Sequence, residues 1–170
     1  MTTERLIPNS SQTVGPYFRI GLDYLIDRTS TDDATTLGTI AIRGRVLDRD
    51  GVAVPDAMLE FWSVPHNFRR AATDLDGNFC VMMGRPVAVR MEDGRTQSPH
   101  LLVLVFARGL LRHLISRVYF ESEPGNESDP VLLGVPADRR RTLMARRDGD
   151  NSFRWDVILQ GPDETVFFAW

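Results

Sequence analysis

Few residues in this sequence have side chains suited to metal binding or proton transfer, and they lie far apart. The three histidines are His66, His100 and His113, and the single cysteine is Cys80. None forms a His-x-His, His-x-x-x-His or Cys-x-x-Cys spacing, which would bring several ligands to one ion. The spacing therefore predicts no metal site. His100 alone has two interpretations, a single ligand or a hydrogen-bonded structural residue, and the second is more typical of a lone histidine entering a core strand.

Covalent catalysis has no candidate residue in this chain. The sequence lacks G-x-S-x-G, and all 20 of its basic residues are arginine, which excludes a Schiff-base or P-loop lysine. A nucleophilic hydrolase is therefore not indicated. Arg108 is the cation of most interest, because it directly follows an apolar run and precedes Gly109. There its guanidinium could bind an anionic ligand or form a salt bridge with a loop acid, and the pattern does not separate these.

The residues that position His100 and Arg108 form the longest apolar run. Residues 101–106 are six consecutive apolar residues between Pro99 and Gly109, which indicates a strand buried on both faces at the centre of a sheet. Alternation places His100 on one face, entering the interior at the start of the strand, with Leu102 on the same face. A second alternating segment over residues 114–120 predicts a neighbouring strand.

The remaining pattern predicts an all-β fold, a β-sandwich with one short late helix. Further strands are indicated at residues 39–46, 57–62 and 79–83, with a terminal hairpin over 153–170. Residues 63–70 and 121–130 are predicted as loops. The helix is expected from Pro136 to about Arg147, because proline begins it and arginines lie in its last turn.

Length and composition indicate one domain, residues 1–170, with an N-terminal arm over 1–38 and the sandwich over 39–170. No apolar run approaches the roughly 20 residues that span a bilayer, and the first residues do not have a secretory pattern, so we expect a cytoplasmic protein. The net charge of −3 argues against nucleic acid as a partner. Within the arm, Gly15 and Pro16 form either an ordinary turn or a bend that brings backbone close to another surface.

Four segments carry a family resemblance. They are SQTVGPYFRIGL at 11–22, IRGRVLDRDGVAVPDAMLEFW at 42–62, SPHLLVLVFARGLLRHLISRVYF at 98–120 and FRWDVILQGPDETVFFAW at 153–170. Together they resemble the intradiol ring-cleaving dioxygenases, and the arm, the FARG segment and the ending resemble the alpha chains of the heteromeric members. The resemblance implies a β-sandwich that pairs with a homologous beta subunit, in a higher-order alpha–beta oligomer.

The resemblance also implies where the cofactor lies. In catalytic members two tyrosines and two histidines bind Fe(III), with a His-x-His pair on the strand that corresponds to residues 100–106. Here Leu102 replaces the second histidine, Val87 occupies the place of one tyrosine, and the loop that carries the other shrinks to residues 63–70. The resemblance thus implies that this chain binds no cofactor and that the beta subunit holds the iron.

Four residues are expected to contact the substrate by motif match. Thr13, Gly15, Pro16 and Arg108 would line the pocket of the beta subunit, where a small aromatic acid reacts with O2, and Arg108 would favour its carboxylate. The chain alone is expected to be inactive. The alternative is a non-catalytic binding or structural module on the same scaffold, which the shortened loop supports. A self-sufficient enzyme is the weakest interpretation, because the metal ligands are absent.

Overall fold

The computed structural model describes residues 38–64 and 67–169, which are mainly β-strands. In chain order the elements are β1 (Thr39–Leu47), β2 (Met58–Ser63), β3 (Asn67–Ala72), β4 (Asn78–Gly84), β5 (Val89–Arg90), β6 (Thr96–Gln97), β7 (His100–Phe106), β8 (Leu114–Phe120), α1 (Pro130–Gly134), β9 (Met144–Arg147), β10 (Ser152–Arg154) and β11 (Val157–Ile158). Two 3-10 turns lie at Pro124–Glu127 and Arg140–Leu143. No helix within the described ranges is long and apolar enough to cross a membrane.

Nine strands form one strongly curled sheet. From β7, an interior strand, the sheet runs through β8, β9 and β10 to β1 on one side, and through β2 to β3 on the other. β1 also pairs with β4 and with β11, while β5 and β6 form a separate small ribbon. Because β4 lies in contact with β3, the two ends of the sheet nearly meet. The all-β prediction is confirmed, and the arm predicted over 1–38 lies almost wholly outside the described residues.

The core is built from one face of each central strand. Leu101, Val103 and Val105 of β7 are fully buried against side chains such as Phe61 and Ile42. The other face of β7, which carries His100, is only half-buried. The prediction of a strand buried on both faces is therefore wrong for the outer face, and His100 does not enter the main core. An apolar run alone does not show whether both faces of a strand are fully buried or one is only partly buried.

The predicted helix from Pro136 to Arg147 is wrong. A 3-10 turn at Arg140–Leu143 leads instead into β9, whose backbone pairs with β8 in parallel and with β10 antiparallel. These ladder hydrogen bonds outweigh a charge pattern that fits a helix only locally. The helix that does form, α1, lies earlier and is 5 residues long.

Two further predictions, a loop and the terminal hairpin, differ from the structure. The loop expected at residues 63–70 is largely strand, because β3 pairs with β2 from Asn67 onwards and the Phe68 ring packs 4.4 Å from that of Trp62. The predicted terminal hairpin is wrong as well. β10 and β11 pair in parallel with β1, and residues 159–169 contain no strand.

A row of arginines crosses three neighbouring strands on the outer face. Arg43 of β1 is opposite Arg154 of β10, which is opposite Arg146 of β9. All three are exposed, and within the described residues only Arg154 has an ion pair, 3.6 Å between its Nε and an Asp156 oxygen. Like charges directly opposite each other destabilise a sheet, so we expect this row to lower the free energy of unfolding.

Replacement of the central arginine should therefore stabilise the fold. We expect Arg154→Gln to raise the free energy of unfolding by about 0.2–1 kcal/mol at low salt, and less at high salt because the repulsion is screened. Urea denaturation at two salt concentrations measures this. Arg90→Gln is the control, since Arg90 is also an exposed strand residue but faces Thr96. Equal changes in both variants would contradict the repulsion.

Candidate functional site

A buried polar cluster lies where β7 begins. Its members are Gln97, His100, Arg117, Tyr119 and Asp129, and we call it the polar cluster. The register of β7 and β8 places His100 opposite Tyr119, and Leu102 opposite Arg117, so these side chains share the outer face. The segment that leads into α1 brings Asp129 over this face.

Asp129 is the hydrogen-bond acceptor at the centre of the polar cluster. Its side chain is fully buried and accepts from the backbone N–H of Ser98 at 2.8 Å, of Val131 at 2.8 Å and of Leu132 at 2.9 Å. The Tyr119 hydroxyl donates to the same carboxylate at 3.3 Å. One side chain thus caps α1 and holds the segment that precedes β7.

Arg117 and Tyr119 lie side by side beneath Asp129. Arg117 is 8% exposed, and its Nη1 donates to Gln97 Oε1 at 3.1 Å and to the Tyr119 hydroxyl at 3.3 Å. Its Nε has no hydrogen-bond partner within the described chain. Burial, opposed by the neighbouring Arg117, raises the pKa of Tyr119 to about 12. The phenol therefore stays protonated and serves as a donor to Asp129.

The surroundings of His100 disfavour its charged form. Burial is the main reason that its pKa is lowered, and the charge of Arg117 acts in the same direction, against the hydrogen bond to Ser98 and the charge of Asp129. Its Nδ1 lies 2.8 Å from the Ser98 carbonyl oxygen, which can only accept, so Nδ1 carries the proton. The ring also packs on Tyr119 at 5.3 Å.

The polar cluster does not fit an iron centre. The imidazole of His100 is its one histidine ring, and the Nε2 of that ring has no hydrogen-bond partner within the described residues. The next residue on its face is Leu102, and the buried Arg117 places a positive charge beside it. Across residues 38–64 and 67–169 no group of three or more His, Cys, Asp or Glu side chains could hold a metal. The hydrogen bonds instead assign His100 a structural role.

Arg108 lies beyond the opposite end of β7. Because β7 has 7 residues, its two ends are about 20 Å apart, too far for His100 and Arg108 to share a small ligand. The Arg108 side chain is 57% exposed, and its Nη2 lies 3.4 Å from Asp56 Oδ2. The ion pair with a loop acid therefore forms, and it leaves much of the guanidinium facing solvent. Thr13, Gly15 and Pro16 lie outside the described residues.

Known proteins are similar to this chain over almost its full length, although no protein-family model matches the chain. The protocatechuate 3,4-dioxygenase alpha chain of Burkholderia cepacia is 39% identical over 201 residues, and that of Pseudomonas putida is 34% identical over 199, each covering 99% of both chains. The chain belongs to the protocatechuate 3,4-dioxygenase alpha-chain family. It is an alpha subunit of an intradiol ring-cleaving dioxygenase, as the resemblance predicted.

Relatives of this alpha-chain family share its scaffold. The protocatechuate 3,4-dioxygenase beta chain of Burkholderia cepacia is 24% identical over 174 residues, covering 85% of this chain and 74% of that one. Hydroxyquinol 1,2-dioxygenase from Pseudomonas putida DLL-E4 superposes with a TM-score of 0.60 at 22% identity, covering 91% of this chain and 68% of that one. Catechol 1,2-dioxygenase from Acinetobacter sp. ADP1 gives 0.58 at 15%, covering 79% and 55%. These two structures show the same fold.

Sequence reasoning singled out only His100 of the polar cluster and missed the other four members, among them Asp129 and Arg117. Asp129 stands in an acidic, turn-rich stretch that looks solvated, although the Asp–Pro pair before two leucines is a helix-start signal. Arg117 lies in an alternating strand, on the face that the sequence pattern marks as polar and therefore exposed. Its burial depends on Gln97 and Tyr119, and no local pattern reveals these contacts.

Loss of the Asp129 carboxylate should destabilise the fold strongly. Asp129→Ala leaves buried backbone N–H groups without acceptors, and we expect the free energy of unfolding to fall by about 2–4 kcal/mol. Asp163→Ala is the control, because that carboxylate is 60% exposed in its pair with Arg141, and its loss should cost less than about 0.5 kcal/mol. Urea denaturation of both compares them. Equal losses would refute the assignment of Asp129 as the central acceptor.

His100 should make the stability of the chain depend on pH. Because the pKa of His100 is lowered in the folded state, the unfolded state binds the proton more readily. The stability contribution is complete above the unfolded value of about 6.5 and falls as the pH drops below it. His100→Asn, which keeps a donor for Ser98, should show a smaller loss between about pH 7 and about pH 5. An identical loss in parent and variant would exclude His100 as the source.

Proposed function

We propose that this chain is the iron-free alpha subunit of a protocatechuate 3,4-dioxygenase, completing the substrate pocket of a homologous beta subunit that carries Fe(III). The observation that carries the proposal is the full-length similarity to alpha chains, 39% identity over 99% of both sequences. The weaker similarity to a beta chain, at 24% identity, supports a homologous partner. Such alpha–beta pairs would assemble into a larger oligomer.

The proposed reaction is ring cleavage of protocatechuate with O2 to 3-carboxy-cis,cis-muconate, a step of aromatic catabolism in the beta-ketoadipate pathway. Iron bound by the beta subunit would supply the oxygen chemistry. The donor set of the polar cluster supports this division, since His100 is the one free ring nitrogen there and Leu102 follows it on the same face. The residues of this chain would bind and orient the substrate.

Arg108 is the described residue proposed to contact the substrate, together with Thr13, Gly15 and Pro16 of the arm. Its guanidinium is exposed and held near Asp56, so its remaining N–H groups are available to the carboxylate of an aromatic acid. The end of β7 that carries Arg108 lies about 20 Å from the polar cluster. Arg108 would therefore act on a ligand held by the neighbouring subunit.

The second candidate is a non-catalytic binding or structural module. The hairpin of β2 and β3, which replaces a long loop expected from the family, favours it. Co-expression with the iron-bearing homologue separates the two functions. If the chain is an alpha subunit, it should form a stoichiometric complex that contains iron and absorbs visible light. If it is a non-catalytic module, it should purify alone or with itself and remain colourless.

Removal of the Arg108 guanidinium tests the proposed contact. In the alpha–beta complex, Arg108→Ala should weaken protocatechuate binding by about 1–3 kcal/mol, because a charge-assisted hydrogen bond to the carboxylate is lost. Binding of catechol, which has no carboxylate, should not change. Arg95→Ala is the control, since Arg95 is also exposed and paired with an aspartate, Asp93. Unchanged protocatechuate affinity in Arg108→Ala would rule out the contact.

A further inference from the structure

The outer face of β9 and β10 forms part of a cleft that the proposed function does not use. Its volume is about 520 Å³, within the range of small-molecule sites in proteins. Three arginines line it, Arg141, Arg146 and Arg154, and we call it the arginine cleft. Arg108, the described residue proposed to contact the substrate, does not line it.

The arginines of the arginine cleft are not equally paired. Arg141 forms an ion pair with Asp163 at 2.7 Å, and the Nε of Arg154 lies 3.6 Å from an Asp156 oxygen. The other oxygen of Asp156 accepts a backbone N–H at 2.9 Å, so this carboxylate is shared. Within the described residues Arg146 has no ion pair and no side-chain hydrogen bond. The guanidinium of Arg146 is therefore available to a ligand.

Positive charge exceeds negative charge along the row of arginines that crosses the arginine cleft. The strand register sets Arg154 between Arg43 and Arg146, and all three side chains are exposed. The carboxylate paired with this row is that of Asp156, so two positive charges lack an opposite charge within the described chain. An arrangement that costs stability without a compensating contact is expected at a functional site, where a ligand supplies the missing charge.

The chemistry of the arginine cleft favours a small ligand with two negative charges. Neighbouring strands lie about 4.8 Å apart, so guanidinium groups on opposite residues can both donate to one carboxylate- or phosphate-bearing molecule. Met144 and Ile158 line the same cleft and offer apolar surface to a short carbon chain. The aspartates at the cleft, among them Asp156 and Asp163, would repel an extended polyanion such as nucleic acid.

We propose that the arginine cleft binds a small dianion, a dicarboxylate or a phosphate, held between Arg146 and Arg154. Arg43 adds its charge from the next strand. The bound anion neutralises the row and so removes the repulsion between the strands. The binding groups all belong to this chain, so the proposal does not depend on the subunit assignment.

Isothermal titration calorimetry of the full chain tests the proposal, with malonate and inorganic phosphate as separate probes. Sodium chloride keeps the ionic strength constant, so that screening of the arginine row alone produces no signal. At least one probe should bind with a dissociation constant below about 1 mM. That probe should also raise the free energy of unfolding, because it binds the folded chain, whereas chloride at equal ionic strength should not match the increase.

A matched pair of arginine variants locates the site. Arg146→Gln should raise the dissociation constant by about 10- to 100-fold, because a charge-assisted hydrogen bond to the anion is lost. Arg90→Gln is the control and should change it less than about 2-fold, since Arg90 is also an exposed strand arginine but lies outside the arginine cleft. Urea denaturation without a probe shows that both variants fold.

The pattern of binding decides between the outcomes. Binding of malonate alone assigns the arginine cleft to dicarboxylates, and binding of phosphate alone assigns it to phosphates; either result supports the proposal when Arg146→Gln weakens it. If the folded parent chain binds neither probe, or if chloride stabilises it equally well, the proposal is overturned. Equal losses of affinity in Arg146→Gln and Arg90→Gln also overturn it, because the binding would then be unspecific.

Discussion

The buried carboxylate of Asp129 is the interaction on which the organisation of this chain depends. It accepts the N–H groups that begin α1 and the Ser98 N–H that precedes β7, and it contacts Tyr119 of β8. A buried carboxylate is tolerated only where hydrogen bonds replace its water, and these bonds provide that replacement. β7 lies in the interior of the sheet, between β8 and β2, and the same carboxylate fixes the segment from which this strand starts.

The hydrogen bonds of the polar cluster join its members to one another and to nearby backbone. The Tyr119 phenol donates to the carboxylate, Arg117 donates to Gln97 and Tyr119, and His100 donates to the Ser98 carbonyl. Such a network stabilises one arrangement of the strand ends, because each lost partner would leave a buried polar group unpaired. A metal would need several of these groups to be released. The polar cluster therefore stabilises the fold at this end of β7.

Sequence patterns predicted the parts of the fold in which one face of a strand is buried. Alternation located β1, β4, β7 and β8 because burial of one face forces a period of two. It failed at β9, whose local charges fit a helix, because the deciding hydrogen bonds come from the neighbouring strands β8 and β10.

The candidate site residues were also predicted only in part. Arg108 could be found from its place after an apolar run, but its contact with Asp56 depends on the start of β2 lying beside the end of β7, which requires the sheet topology. Thr13, Gly15 and Pro16 stay predictions.

The two ends of β7 carry different side chains and are separated by about 20 Å. A change at His100 or Leu102 acts about 20 Å from Arg108, so the donor set at one end can be lost without moving the cation at the other. What the far end requires is a rigid base, and the fully buried Leu101, Val103 and Val105 provide it. A short connection on a packed strand pair loses little conformational entropy when it binds, because the backbone is already ordered. The packed core thus fixes Arg108 at the surface of the chain, independently of the side chains at the other end of β7.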